Sequence, residues 1–289
     1  MQEWMQDSRQ MPRDLAAKLG HETVALLRAG GYKTESGRHV DLRAVLAAAR
    51  VKTVEYPPER QAPTPARGTA ATRITVENNT VLAVGRRMAA SGPVAALNFA
   101  SATHPGGGFL RGARAQEESI ARSSGLFHAL ENRDMYAFHA ATRDAMYSDY
   151  VLYTPDVPVF RTDAGERLEE PWYLSVVTCP AVYGLAVERY APNRLPEVPA
   201  VMAARTAKVL SVAAEQGVRR FILGAWGCGA FGLDPAMMAR IFHDALKGAF
   251  YGVFEEIVFA ITDWSPERRF IRPFQQLFSP EPGSSTHNP

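Results

Sequence analysis

Cysteine is scarce: Cys179 and Cys228 are the only two in 289 residues. They lie far apart, with no partner at metal-ligand spacing, which argues against a disulfide framework or a zinc site. Long hydrophobic runs are missing as well. No stretch reaches the roughly 18 apolar residues of a membrane helix, and the polar segment Met1 to Arg13 lacks the apolar core of a secretion signal. A cytoplasmic protein with no membrane partner is expected. Charge of one sign is not in excess either: 32 basic against 30 acidic residues leave +2, so sequence-specific nucleic-acid binding is not expected. No internal repeat is present. The 46% hydrophobic fraction is that of a chain able to bury a substantial core.

The richest stretch is His104-Pro105-Gly106-Gly107-Gly108, followed by Phe109 to Ala115 and then Gln116-Glu117-Glu118. It follows the apolar run Val94 to Phe99 and leads into a helix-like run from Ser119 to Leu130, which reads as strand, glycine loop and helix start. Three consecutive glycines let the backbone approach a ligand closely and turn N–H groups toward an anion such as a phosphate. The adjacent carboxylates add a candidate general acid for breaking a glycosidic bond. Acids in a helix's first turn also have a plain structural explanation, because the macrodipole favours them there. That same dipole lowers a carboxyl pKa, whereas a general acid must keep its proton; a neighbouring carboxylate and desolvation push the other way.

A second glycine-rich segment, Gly224 to Gly232, follows the apolar run Arg219 to Leu223. Asp234-Pro235 then supplies an N-cap and first-turn proline for a helix reaching Phe250. Gly227, Gly229 and Gly232 satisfy the GxGxxG pattern of dinucleotide-binding folds. The acidic residue expected about 20 positions later is poorly matched, however. Asp263 lies farther on, and too little chain remains for the other strands of such a domain.

Around these loops the pattern alternates strands and helices. Two helix-like stretches between Asp14 and Arg50 carry Leu15, Leu19, Val24 and Leu27, then Leu42, Val45, Leu46 and Ala49 after Asp41 as N-cap. A connector with Pro57, Pro58, Pro63 and Pro65 follows. Strands are expected at Thr72 to Val76, Val94 to Phe99, Tyr150 to Thr154, Val157 to Arg161, Trp172 to Thr178, Arg219 to Leu223 and Glu256 to Ile261. Helices are expected after Thr80 and over Val201 to Glu215, and a hairpin turn at Asp163-Ala164-Gly165; Arg133 to Tyr150 shows no clear period. This predicts an α/β fold with a mixed central sheet between helices, both glycine loops at the carboxyl ends of strands forming one cleft. The expected divisions are an N-terminal helical extension and connector over 1–70, a catalytic core over 71–278 and a flexible tail over 279–289.

The glycine triplet followed by Gln116-Glu117-Glu118, together with the segment Gly224 to Gly232, resembles the poly(ADP-ribose) glycohydrolases, and the chain's length is similar to that of the compact, bacterial-type members. The resemblance implies a macrodomain-like three-layer core with N-terminal accessory helices, and release of ADP-ribose from poly(ADP-ribose) by hydrolysis of ribose–ribose bonds, from polymer ends. It further implies that Glu118 is the catalytic acid and Glu117 its partner on the ribose hydroxyls. Asn98 would contact the distal ribose. Gly106, Gly107, Gly108, Gly227, Cys228, Gly229, Ala230 and Gly232 would line the diphosphate, Phe231 would pack on the terminal ribose, and Gln116 would prop the loop. No metal or cofactor is implied, and a monomer is expected. Removal of single ADP-ribose groups from protein or nucleic acid, and non-catalytic ADP-ribose binding, are the alternatives. His104 has no partner visible in sequence, and Arg111 and Arg114 could attract phosphate or be solvated.

Overall fold

The computed structural model describes residues 11–279, so the tail expected over 279–289 lies, past its first residue, outside the described residues. Helix α1 (Arg13–Ala29) ends at Gly30, whose left-handed φ of 75° lets its N–H close on the carbonyls of Leu26 and Leu27. A small hairpin of β1 (Gly31–Lys33) and β2 (His39–Asp41) leads to α2 (Arg43–Val51). Asp41 caps less directly than expected: Leu42 occupies the N-cap position and the Asp41 carboxylate accepts the Arg43 N–H at 2.9 Å.

Next come β3 (Val54–Tyr56), β4 (Arg73–Glu77), α3 (Val81–Ala89) and β5 (Ala95–Phe99). Thr80 caps α3 by accepting the Ala83 N–H. After the first glycine loop follow α4 (Gln116–Ser123), α5 (Leu126–Leu130), α6 (Asp134–Thr142), β6 (Val151–Arg161) and β7 (Arg167–Cys179). The chain closes with α7 (Gly184–Tyr190), α8 (Val198–Glu215), β8 (Arg220–Leu223), α9 (Pro235–Lys247), β9 (Glu256–Ala260) and α10 (Arg272–Phe278).

Seven strands form the main sheet in the order β3-β6-β7-β5-β8-β9-β4. The five from β7 to β4 run parallel, and β3 and β6 extend them antiparallel. Apolar clusters cover both faces: α8, α9 and α10 supply one, and α3, α4, α5 and α6 the other. Along β5 the two-residue period sends Ala95 and Leu97 into the first cluster and Ala96 into the second. Asn98 shares the second face, toward α4.

Three local expectations are corrected. The single helix expected over Ser119 to Leu130 breaks at Ser124, which is extended and bridges Val159, while the Gly125 N–H donates to the Pro158 carbonyl. The two strands expected between Tyr150 and Arg161 are one, interrupted by a register irregularity where Asp156 takes φ 49°. Strand β3, inside the segment expected to be an extension over 1–70, pairs with β6 as the edge of the main sheet.

Helix α1 is more than an accessory. Its buried face is Ala16, Leu19, Gly20, Thr23, Leu26 and Leu27, whereas Leu15 is exposed. Gly20 lies against the Phe109 carbonyl, where a Cβ would come within 2.8 Å, and the Thr23 hydroxyl donates to the Arg122 carbonyl at 2.6 Å. The face is set by contact with the glycine loop and α4, which is why a glycine and a threonine displace apolar residues from it.

Candidate active site

Strand β5 delivers the first loop, and its neighbour β8 runs parallel, with Ala95 opposite Phe221 and Ala96 opposite Ile222. Both glycine loops therefore emerge at the same end of the sheet. They touch at their bases, where a Cβ on Gly224 would lie 3.0 Å from the Phe99 ring.

In the first loop Gly106 and Gly107 have φ of 68° and 62°, in the left-handed region that favours glycine. The Gly107 N–H donates to the His104 carbonyl at 2.9 Å, closing a turn that lays the loop across the start of α4. A Cβ at Gly107 would collide with Glu118 Oε1 and stand 2.8 Å from Glu117 Oε2. One bare backbone atom is thus packed between both carboxylates. Gln116, at the head of α4, clamps β5: its Oε1 accepts the Phe99 N–H at 2.9 Å and its Nε2 donates to the Leu97 carbonyl at 2.7 Å.

Both carboxylates are buried. Glu117 Oε2 accepts the Ser101 N–H at 2.7 Å, and its Oε1 accepts weakly from Asn98 Nδ2 at 3.4 Å. Burial, reinforced by the neighbouring Glu118 charge, pushes the Glu117 carboxyl well above its usual range despite those hydrogen bonds. Glu117 therefore keeps its proton to a higher pH than an isolated carboxylate would. Glu118 Oε1 accepts the Gly108 N–H at 2.9 Å. Its Oε2 is buried with no hydrogen-bond partner among the described residues, and so is Asn98 Oδ1. An unmet buried polar atom costs about 1–3 kcal/mol, so a ligand bringing hydroxyls to these two oxygens recovers that cost on binding.

The raised Glu117 pKa fixes a pH dependence of stability. Between the unfolded value of about 4.3 and the higher native one, the native state holds a proton that the unfolded chain has lost. Stability therefore falls as pH rises through that window. Glu117→Gln removes the dependence, and the turned amide of Asn98 can satisfy it. Thermal unfolding of both proteins is expected to show the variant gaining on the wild type as pH rises above about 4.3; a difference that stays constant with pH contradicts the raised pKa.

The second loop lies at the same end of the sheet as the first. Gly227 and Gly232 take φ of 76° and 74°. A Cβ on Gly227 would strike Leu233 and Ala181, and one on Gly232 would strike Leu185. Gly229 differs, since a Cβ there would meet nothing within 4 Å, and with Ala230 it forms the loop's exposed crest. Cys228 turns its thiol inward, where burial pushes its pKa up, so the sulfur is neither exposed nor reactive. Phe231 is half-buried and stacks on Tyr183, with ring centroids 4.9 Å apart.

The His104 ring pairs with the neighbouring Thr103 hydroxyl, at 2.9 Å, and among the described residues with no carboxylate. Arg114 donates to the Met11 carbonyl at 2.8 Å. Asn78, at the end of β4, exchanges two hydrogen bonds with the Asp263 backbone. Sequence reasoning passed over Ser101, whose amide anchors Glu117, and Arg122, which is buried one turn beyond Glu118 and donates to the Ala113 carbonyl at 2.6 Å. Neither stands at a telling spacing. Among the described residues no group of three or more His, Cys, Asp or Glu side chains could hold a metal ion, and no helix is long and apolar enough to cross a membrane.

A mostly parallel sheet between helices, two glycine loops on adjacent strand ends and a buried carboxylate pair beneath one of them define a macrodomain-like glycohydrolase. Residues 20–162 match the family model described as the catalytic domain of microbial-type PARG, the poly(ADP-ribose) glycohydrolases. Among solved structures, the chain is similar to poly(ADP-ribose) glycohydrolase from Thermomonospora curvata, at 44% identity over 91% of this chain and 99% of that one, with a TM-score of 0.87. The same Thermomonospora enzyme bound to the inhibitor ADP-HPD matches at 44% identity over 90% and 98%, TM-score 0.84. The Deinococcus radiodurans enzyme in complex with ADP-ribose matches at 40% over 81% and 97%, TM-score 0.78. No curated protein sequence matches. The chain belongs to the poly(ADP-ribose) glycohydrolase family, in its compact bacterial form.

Proposed function

We propose that the chain hydrolyses the ribose–ribose O-glycosidic bonds of poly(ADP-ribose) from polymer ends, with Glu118 as acid and then base. The observation that carries the roles is the buried carboxylate pair crossed by Gly107, with Glu118 Oε2 left without a hydrogen-bond partner among the described residues. Glu118 protonates the leaving 2′-oxygen as the bond to the terminal anomeric carbon breaks. The positive charge developing on that ribose is stabilised by the diphosphate and the neighbouring carboxylate. Water adds to the anomeric carbon and returns a proton to Glu118, restoring the starting state.

Glu117 and Asn98 hold the ribose hydroxyls, Gln116 keeps α4 fixed on β5, and Phe231 packs against the terminal ribose. The diphosphate lies between Gly106 to Gly108 and the segment Gly227 to Gly232, and the enzyme acts as a cytoplasmic monomer. Incubation with poly(ADP-ribose) and with several mono-ADP-ribosylated substrates, followed by detection of free ADP-ribose, tests the substrate class. Release from polymer supports the reading; release only from mono-ADP-ribosylated substrates, or binding without release, overturns it.

Gly229 offers a separate check on the cradle. Because a Cβ there meets open space, Gly229→Ala should leave the melting temperature unchanged. If the loop crest faces the diphosphate, that methyl intrudes on the ligand, and the Kd for ADP-ribose should rise by about tenfold, roughly 1.4 kcal/mol. Calorimetric titration with ADP-ribose measures it, and an unchanged Kd removes Gly229 from the cradle.

A further inference from the structure

The second loop closes on itself through the Gly232 N–H to Gly229 carbonyl bond at 3.1 Å, but the ring of Phe231 is packed by residues from outside the loop. Phe231 is flanked by the exposed Gly229 and Ala230 on one side and by Gly232, at φ 74°, on the other. What holds it is a segment from elsewhere in the chain, Tyr183 to Leu185, at the start of α7. The Tyr183 ring stacks on Phe231 with planes 26° apart. The Leu185 N–H donates to the Phe231 carbonyl at 3.1 Å, Gly184 lets that carbonyl approach to 3.1 Å from where a Cβ would be, and the Leu185 side chain fills the space beside Gly232.

That brace is itself anchored. The Tyr183 N–H donates to the Ala145 carbonyl at 2.9 Å, and the Tyr147 ring approaches Phe231 from the same segment at 6.3 Å. Arg205 of α8, fully buried, joins the two segments: one guanidinium nitrogen donates to the Pro180 carbonyl at 3.0 Å and another to the Met146 carbonyl at 2.8 Å. An apolar side chain could fill this space without the cost of burying a charge, so the guanidinium's contribution is the fixed spacing of the two backbones.

We propose that Tyr183 is a positioning residue of the hydrolysis, its ring serving as the shelf that keeps Phe231 against the terminal ribose. This rests on the reading that Phe231 packs on that ribose. The contact matters most as the ribose flattens toward the transition state, so its loss falls on kcat more than on KM.

The test uses the full chain and the variants Phe231→Ala, Tyr183→Leu, Tyr183→Met and Tyr183→Phe, measuring kcat and KM on poly(ADP-ribose) and the melting temperature. Tyr183→Leu and Tyr183→Met should lower kcat by about tenfold while KM moves less than about twofold. Tyr183→Phe should restore kcat, because the ring acts and the hydroxyl does not. Unchanged kcat in Phe231→Ala removes the reading of Phe231 itself, and the shelf with it. A fall in Phe231→Ala without one in Tyr183→Leu or Tyr183→Met overturns the positioning role alone. An equal fall in Tyr183→Phe, or failure of both ring-free variants to fold, also overturns it, in favour of the hydroxyl or of a purely structural residue.

Discussion

Glu118→Gln is expected to cut turnover of poly(ADP-ribose) by about 100-fold or more while ADP-ribose still binds. The amide keeps the side chain's volume and its oxygen can still accept the Gly108 N–H, so the loop stays where it is. It cannot deliver a proton to the leaving 2′-oxygen or collect one from water. Because general acid catalysis acts chiefly in the transition state, the loss belongs to kcat. Steady-state kinetics alongside ADP-ribose titration separate the two quantities. Turnover near that of the unaltered protein would remove Glu118 as the acid, and a parallel loss of ADP-ribose affinity would make it a binding residue.

Gly107→Ala should be nearly as damaging, although it removes no functional group. At φ 62° a non-glycine backbone costs about 1–2 kcal/mol. The added methyl has no free direction, since it meets Glu118 Oε1 and stands 2.8 Å from Glu117 Oε2. Either the loop lifts or the carboxylates turn, and a shift of about 1 Å at a reacting group can cost roughly 100-fold in rate. A fall of that order in kcat is expected, with a modest drop in melting temperature. Gly217→Ala provides the control: at φ 73° it carries the same backbone strain, but a Cβ there meets nothing within 4 Å. Equal activity in the two variants would mean that Gly107 does not hold the carboxylate geometry.

The parts of the site legible in sequence are those whose signal is local. Gly106 to Gly108 before Gln116-Glu117-Glu118, and Gly227 to Gly232 before Asp234-Pro235, each lie within a short stretch whose strand, loop and helix order can be read from apolar period and capping residues. The Asp234 carboxylate does accept the Ala236 and Met237 N–H groups. That the two loops meet follows from parallel neighbours, which strand and helix alternation suggests.

What was hidden depends on partners distant in sequence. β3 is three residues long and takes its place in the sheet by pairing with β6. Ser124 leaves the helix because Val159 and Pro158 offer its neighbourhood strand-like partners. Helix α6 was illegible because its buried face mixes Met135 with Tyr136 and His139, the last held by the Ser148 hydroxyl at 2.8 Å, so no apolar stripe marks it. Tyr183 lies between Pro180 and Pro192, and nothing in the residues around it points to Phe231.

The placement of α1 bears on what the smallest working unit of this chain can be. A fragment trimmed to begin with β4 would keep every residue assigned to the chemistry. It would also lose Gly20 behind Phe109, Thr23 beneath Arg122 and the Met11 carbonyl that receives Arg114, three supports on the far side of the glycine loop. Those contacts make α1 part of the bed on which the loop lies, so the smallest fragment expected to hold the loop in place starts ahead of α1 and not at the sheet.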